Sequence, residues 1–157
     1  PLSVGNIVNG HLLWVAFRAA MASAFYLAVS AAFGAVRSPA AAADLVVGPL
    51  VGLAFAAPIA AYAVTARHEQ PFVMIFRLVM VPLFLFSGTF FPLSQLPAGL
   101  RSLAYVLPLW HGVELSRELY VGRLALLPAL GHLAYLVAVI AAGAVGARVT
   151  YRRALAS

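Results

Sequence analysis

Apolar residues run through this chain in long blocks, and four of the blocks reach the roughly 20 residues that a helix needs to cross a bilayer. They are Leu12–Val36, Leu45–Ala66, Phe72–Phe91 and Leu127–Ala147. A fifth apolar stretch, Leu100–Leu109, is only about half a span. It stops at Pro108 and runs into WHGVELSRELYVG, whose Glu114, Arg117, Glu118 and Arg123 cannot lie in lipid without a large cost. The pattern predicts an all-α, polytopic transmembrane helical bundle of four spans, with both chain ends on one side of the membrane.

The spans differ in character. The first carries Ala16, Ala20, Ala24, Ala28 and Ala32, the second Gly48, Gly52, Ala56 and Ala60, and the fourth Ala134, Ala138, Ala142 and Gly146. Small residues at every fourth position let helix backbones approach closely where lipid offers no hydrophobic drive. An Ala-rich chain also makes such stripes by chance. The third span is instead rich in Phe, at positions 72, 76, 84, 86, 90 and 91. That pattern suits a broad apolar surface, either a partner protomer or a substrate path. Pro49, Pro58 and Pro82 should each loosen or kink their helix.

The third span ends in FLFSGTFFPLSQLPAGL. A helix emerging here would end near Ser87 and Gly88, with Phe90 and Phe91 at interfacial depth. Pro92 and Pro97 would stop it from continuing. Leu100–Leu109 is too short to cross, so it should dip in and return as an external re-entrant helical hairpin. Irregular backbone at that depth is tolerated only against protein or a water-filled cavity. The break is therefore expected at the mouth of a path.

Composition supports the membrane reading. The 157 residues are 64% hydrophobic and 9% charged, against about 25% charged in an ordinary soluble domain. Mean hydropathy is +1.01. The net charge of +6 comes from ten basic residues, every one an Arg. They sit singly at the ends of apolar runs, and only the tail RVTYRRALAS gathers three, so no nucleic-acid footprint results. Arg18, Arg67, Arg77, Arg148, Arg152 and Arg153 fall on one side of the four-span layout. Arg37, Arg101, Arg117 and Arg123 fall on the other, with Asp44, Glu114 and Glu118. The basic tail places both ends in the cytoplasm. All-Arg, Ala-rich usage points to a GC-rich bacterial genome. The start at Pro1, without Met or a charged leader, is read as a piece of a longer protein whose upstream spans are absent.

Several chemistries lose their central residue. With no Lys there is no Walker A lysine, so the chain is not expected to bind ATP through a P-loop of its own. With no Cys there is no disulfide or thiolate. His11, His68, His111 and His132 match no metal-ligand spacing and are expected on both membrane faces. No acid lies inside a span, which removes the carboxylates of intramembrane proteases and proton-coupled carriers. Asp44 reads as a helix N-cap or first-turn acid. Ser23, Ser30 and Ser87 have no recognisable triad partners. In HGVELSRELY, Glu114 and Arg117 are three apart and can pair on one helix face, while Glu118 lies one turn further on. That cluster is either a solvated interfacial helix or a polar ring at an external mouth.

Three segments then stand out in order: PLSVGNIVNGHLLWVAFR, FLFSGTFFPLSQLP and LPLWHGVELSRELYVG. They resemble the ABC-2-type transporter permeases, and within them the bacterial nodulation-factor/lipooligosaccharide and daunorubicin-type drug exporters. The resemblance implies a partial ABC-2-type transmembrane domain over residues 1–157, the last four of six spans. It further implies a bacterial inner-membrane permease, multi-pass and homodimeric, that exports an amphiphilic drug, lipid or lipooligosaccharide. On this reading the chain is not itself an enzyme and holds no cofactor. A separate ABC ATPase subunit binds ATP and Mg. Pro1, Leu2, Ser3, Val4, Gly5 and Asn6 would form a cytoplasmic loop against that ATPase. The stretch from Pro92 to about Tyr120, with Ser87, Gly88, Phe90, Phe91, Pro97, His111, Glu114 and Arg117, would make the external mouth. Two alternatives remain at this point. One is a membrane enzyme acting on a lipid-linked substrate at His111, Glu114 and Arg117; the other is a non-catalytic membrane scaffold.

Overall fold

A computed structural model describes residues 3–65, 77, 81–86 and 98–155 of the chain. The described residues are helical, with no strand among them. The elements are α1 (Val4–Ala32), a short 3-10 helix (Pro39–Ala43), α2 (Asp44–Ala63), α3 (Val81–Phe86), α4 (Ala98–Val106), α5 (Pro108–Val121) and α6 (Leu126–Leu155). Among the described residues, three stretches are long and apolar enough to cross a membrane: Val4–Ala32, Pro39–Ala63 and Leu126–Ala154. The expected third span over Phe72–Phe91 lies mostly outside the described residues.

Local chemistry sets the helix ends. The Ser3 hydroxyl accepts a hydrogen bond from the Asn6 N–H at 3.3 Å, capping α1. The helix therefore begins at Val4, well before the expected Leu12. Gly34, at φ +69°, ends it: its N–H reaches the Ala31 carbonyl at 3.0 Å, and the Ala35 N–H reaches that of Ser30 at 2.9 Å. This is the Schellman pattern, and it needs a left-handed residue. Gly122 (φ +73°) ends α5 in the same way, with the Arg123 N–H on the Glu118 carbonyl at 3.0 Å. Pro108 occupies the first turn of α5, where a missing N–H costs nothing, and separates α5 from α4.

α1 and α2 pack antiparallel, and α6 runs alongside α2 in the same direction. Their contacts explain the small residues. A Cβ on Gly48 would collide with the Ser23 side chain, and one on Gly52 would lie 3.1 Å from the Ala19 Cβ. A Cβ on Gly143 would come within 2.6 Å of the backbone nitrogen and Cδ of Pro58. α6 thus crosses α2 at the point where proline has removed an N–H, and glycine leaves room for its ring. The stripes read from the sequence are corrected in part. Gly48 and Gly52 are contacts, but Ala24, Ala28 and Ala32 of α1 and Ala134, Ala138 and Ala142 of α6 are exposed. α1 turns Val15, Ala19 and Ser23 to α2 instead.

Two apolar clusters hold the bundle. Val8, Ala60 and Ala147 meet near the start of α1, with Tyr151 against them. There the Arg148 guanidinium donates to the Asn9 Oδ1 at 3.0 Å. Val47, Ala54, Leu115, Leu119, Ala129 and Leu136 join α2, α5 and α6 toward the other end. Elsewhere large apolar side chains point outward, among them Leu13, Trp14, Phe17, Met21 and Phe25 of α1 and Leu127 of α6. In water such a surface would aggregate, whereas in lipid it is the ordinary outer face of a span.

Candidate functional site

α5 crosses the C-terminal end of α1 and the N-terminal end of α2, and one carboxylate organises that crossing. Asp44 opens α2 but is not its N-cap. That position is Ala43, which makes no side-chain bond. The carboxylate sits in the first turn, where the helix dipole favours negative charge. Its side chain reaches α5: the Ser116 hydroxyl donates to Oδ1 at 2.5 Å and the Tyr120 hydroxyl to Oδ2 at 3.5 Å. Asp44 is only 5% exposed, so these bonds replace water that burial removed. Tyr120 also engages Ser30 of α1, and its ring lies 5.9 Å from that of Tyr26. Burial, and then the neighbouring Asp44 charge, push the Tyr120 hydroxyl above its usual pKa, so it stays a donor.

The connector after α1 is fastened to the same place. The Arg37 N–H donates to the Tyr120 carbonyl at 3.0 Å. Ser38 caps the 3-10 helix through Ala40 N–H at 3.2 Å, and its Cβ lies 2.9 Å from where a Cβ of Gly122 would stand. Between α1, α2 and α5 is a cavity of about 520 Å³, lined by Tyr26, Asp44, Val51, Val113, Arg117 and Tyr120 among others.

A second cluster lies where α5 meets α6. His111 Nε2 is 3.0 Å from the Tyr105 carbonyl, so this nitrogen carries a proton. In the neutral ring Nδ1 is then an acceptor. His132 Nδ1 stands 2.7 Å from it and is the donor. Tyr135 stacks on His111 with centroids 4.0 Å apart, and its hydroxyl donates to the Val106 carbonyl. Burial lowers the His111 pKa, the carbonyl of Tyr105 raises it, and His132 lowers it again. The Trp110 ring packs edge-on against Tyr105, His111 and His132, while its buried Nε1 has no hydrogen-bond partner among the described residues. An unpaired buried donor costs about 1–3 kcal/mol.

Of the residues expected at an external mouth, His111, Glu114 and Arg117 all fall on α5. Arg117 pairs with Glu114 at 2.8 Å, as their spacing predicted, and also lines the cavity. His111 turns to α6 and joins His132. His111 and His132 thus share one end of the bundle, while His11 lies on α1 and His68 lies outside the described residues. Gly122 turns α5 back into α6, so residues 111 and 132, at nearly equal distances from the turn, come opposite each other. Both His111 nitrogens are engaged, one by the Tyr105 carbonyl and one by His132. No group of three or more metal-ligating side chains occurs among the described residues. Ser87, Gly88, Phe90, Phe91, Pro92 and Pro97 lie outside the described residues, as do Pro1 and Leu2. Val4, Gly5 and Asn6 belong to the first turn of α1, which corrects the expected loop, and Ser3 is its cap.

Asp44 and its partners were missed as a set. Ser116 and Tyr120, four apart on α5, were the available signal, since that spacing puts two hydroxyls on one face.

Three long apolar helices with lipid-suited surfaces define a multi-pass membrane protein. Residues 1–121 match the ABC-2 type transporter family, and the chain belongs to it. Over 122 residues it is 34% identical to Nodulation protein J of Sinorhizobium fredii and 36% to that of Rhizobium leguminosarum bv. trifolii. These alignments cover 78% of this chain and 47% of each relative. Nodulation protein J of Rhizobium meliloti is 31% identical over 121 residues, 77% of this chain and 46% of the relative. The chain spans about half the length of these relatives. No solved structure matches it.

Proposed function

We propose that this chain is part of the permease subunit of an ATP-driven exporter, which moves an amphiphilic substrate outward across a bacterial cytoplasmic membrane. The family match over residues 1–121 carries the reading. A separate ABC ATPase would bind ATP and Mg, and a second permease protomer would complete the path. Both chain ends would be cytoplasmic, and α4 and α5 would form the external hairpin. Topology supports this arrangement. α2 ends beside the start of α1, whereas α5 lies at the opposite end of the bundle, so the four-span layout is the simplest that connects them. Physically, closure of the ATPase pair would push on the cytoplasmic end, and packed helices would carry that push as rigid bodies.

The test is export by the full-length permease reconstituted with its ATPase. Transport should cease with a hydrolysis-dead ATPase partner. Export that continued unchanged would refute the reading.

A further inference from the structure

The Asp44 cavity has a chemistry that the transport reading leaves unused. Its volume, about 520 Å³, falls within the range of small-molecule sites, roughly 300–1,000 Å³. Most of its wall is apolar: Val51, Leu109, Val113 and Val121 contribute, and the glycines at 48 and 112 expose backbone. Two tyrosine rings, Tyr26 and Tyr120, stand 5.9 Å apart on one side. Among the described residues, two formal charges line it. Arg117 is held by Glu114 at 2.8 Å, which balances its charge. Asp44 is buried, and its hydrogen bonds come from neutral hydroxyls, Ser116 on Oδ1 and Tyr120 on Oδ2.

A carboxylate can accept about four hydrogen bonds, and these two donors leave capacity on both oxygens. An anion would be repelled here. A neutral guest would bury the carboxylate further without compensating its charge. A cation would meet Asp44 at short range in a low dielectric and lie against electron-rich rings. Its apolar body would displace water from the valine and leucine wall.

We propose that this cavity binds the cationic head of an amphiphile, with Asp44 as counter-ion and the Tyr26 and Tyr120 rings as its aromatic wall. The proposal rests on the transporter reading and names the chemistry of what occupies its outer end. The cation could belong to the exported molecule or to an ethanolamine lipid headgroup, and the experiment separates these sources.

The experiment uses the full-length permease assembled with its ATPase in nanodiscs of phosphatidylglycerol and an uncharged galactolipid, neither of which carries a cationic headgroup. Radiolabelled tetraphenylphosphonium, whose charge does not vary with pH, is the probe. Saturable binding is expected, weakened about tenfold or more in Asp44→Asn and held within about threefold in Asp44→Glu. Equal binding by wild type and Asp44→Asn would overturn the proposal. If Asp44→Asn does not assemble, Val113→Trp decides, since it fills the cavity without touching the carboxylate. Lost binding by the assembled variant supports the site, and unchanged binding overturns it. Replacing the galactolipid with phosphatidylethanolamine then names the source. Weakened probe binding supports the site with lipid as its occupant, and unaltered binding supports it with the exported molecule. Assembly and ATP hydrolysis of the unsubstituted complex report on the transporter reading separately. A complex that hydrolyses ATP but binds the probe without regard to Asp44 sinks only the site.

Discussion

Ser116 carries more of the α2–α5 joint than its size suggests. Its hydroxyl is the short partner of a buried carboxylate, and a hydrogen bond to a charged group is worth about 1.5–3 kcal/mol. Ser116→Ala should therefore destabilise the purified permease by about 1–3 kcal/mol in denaturant melts, and Tyr120→Phe, with its longer bond, by less. Equal effects would mean that Asp44 is not the organising group. His111 makes a second residue-scale prediction. Its pKa is lowered from 6.5 by burial, so below that pH the unfolded chain takes up the proton first. The joint should be fully stable above about pH 6.5 and weaken as pH falls further. Thermal melts at a series of pH values should show that slope, and His111→Gln should flatten it. The Glu114–Arg117 pair was legible because it is local, whereas the Asp44–Ser116 and His111–His132 contacts join residues 72 and 21 apart. Sequence spacing on one helix cannot reveal the rotation of another.

At the scale of elements, composition and length made the long helices readable, because lipid demands an unbroken apolar stretch with its backbone bonds satisfied inside. Their ends were less readable. α1 starts at Val4 because a serine caps it, and α6 runs to Leu155 through a polar tail that hydropathy alone cuts short. The packing faces were least readable of all. Ala24 and Gly48 both sit in small-residue stripes, yet one is exposed and the other lies against Ser23. Ala24→Leu should thus be tolerated, while Gly48→Leu and Gly143→Val should each cost about 1–3 kcal/mol or block folding, as overpacked sites do. Expression and melting of the three variants would check this, and a damaging Ala24→Leu would place a further partner on that face.

At the scale of the whole molecule a direct topological test is open, because these 157 residues contain no cysteine. Single cysteines at Ser3 and Arg152 should be labelled by a membrane-impermeant reagent from the same side, and one at Arg37 from the other. Labelling of Ser3→Cys and Arg152→Cys from opposite sides would break the antiparallel arrangement of α1 and α6.

The fastening of Arg37 to Tyr120, and of Ser38 against Gly122, has a mechanical consequence. It ties the C-terminal ends of α1 and α5 to the N-terminal end of α2, so these helices share a fulcrum there. α1, at 29 residues, is a lever of about 44 Å at 1.5 Å per residue. A tilt of roughly 5° about that fulcrum would swing the far end by about 4 Å, about 70% of the rise of one helical turn. Small angular play at the fulcrum thus becomes a stroke at the other end, and the same gearing run in reverse converts a coarse push into fine adjustment beside Asp44.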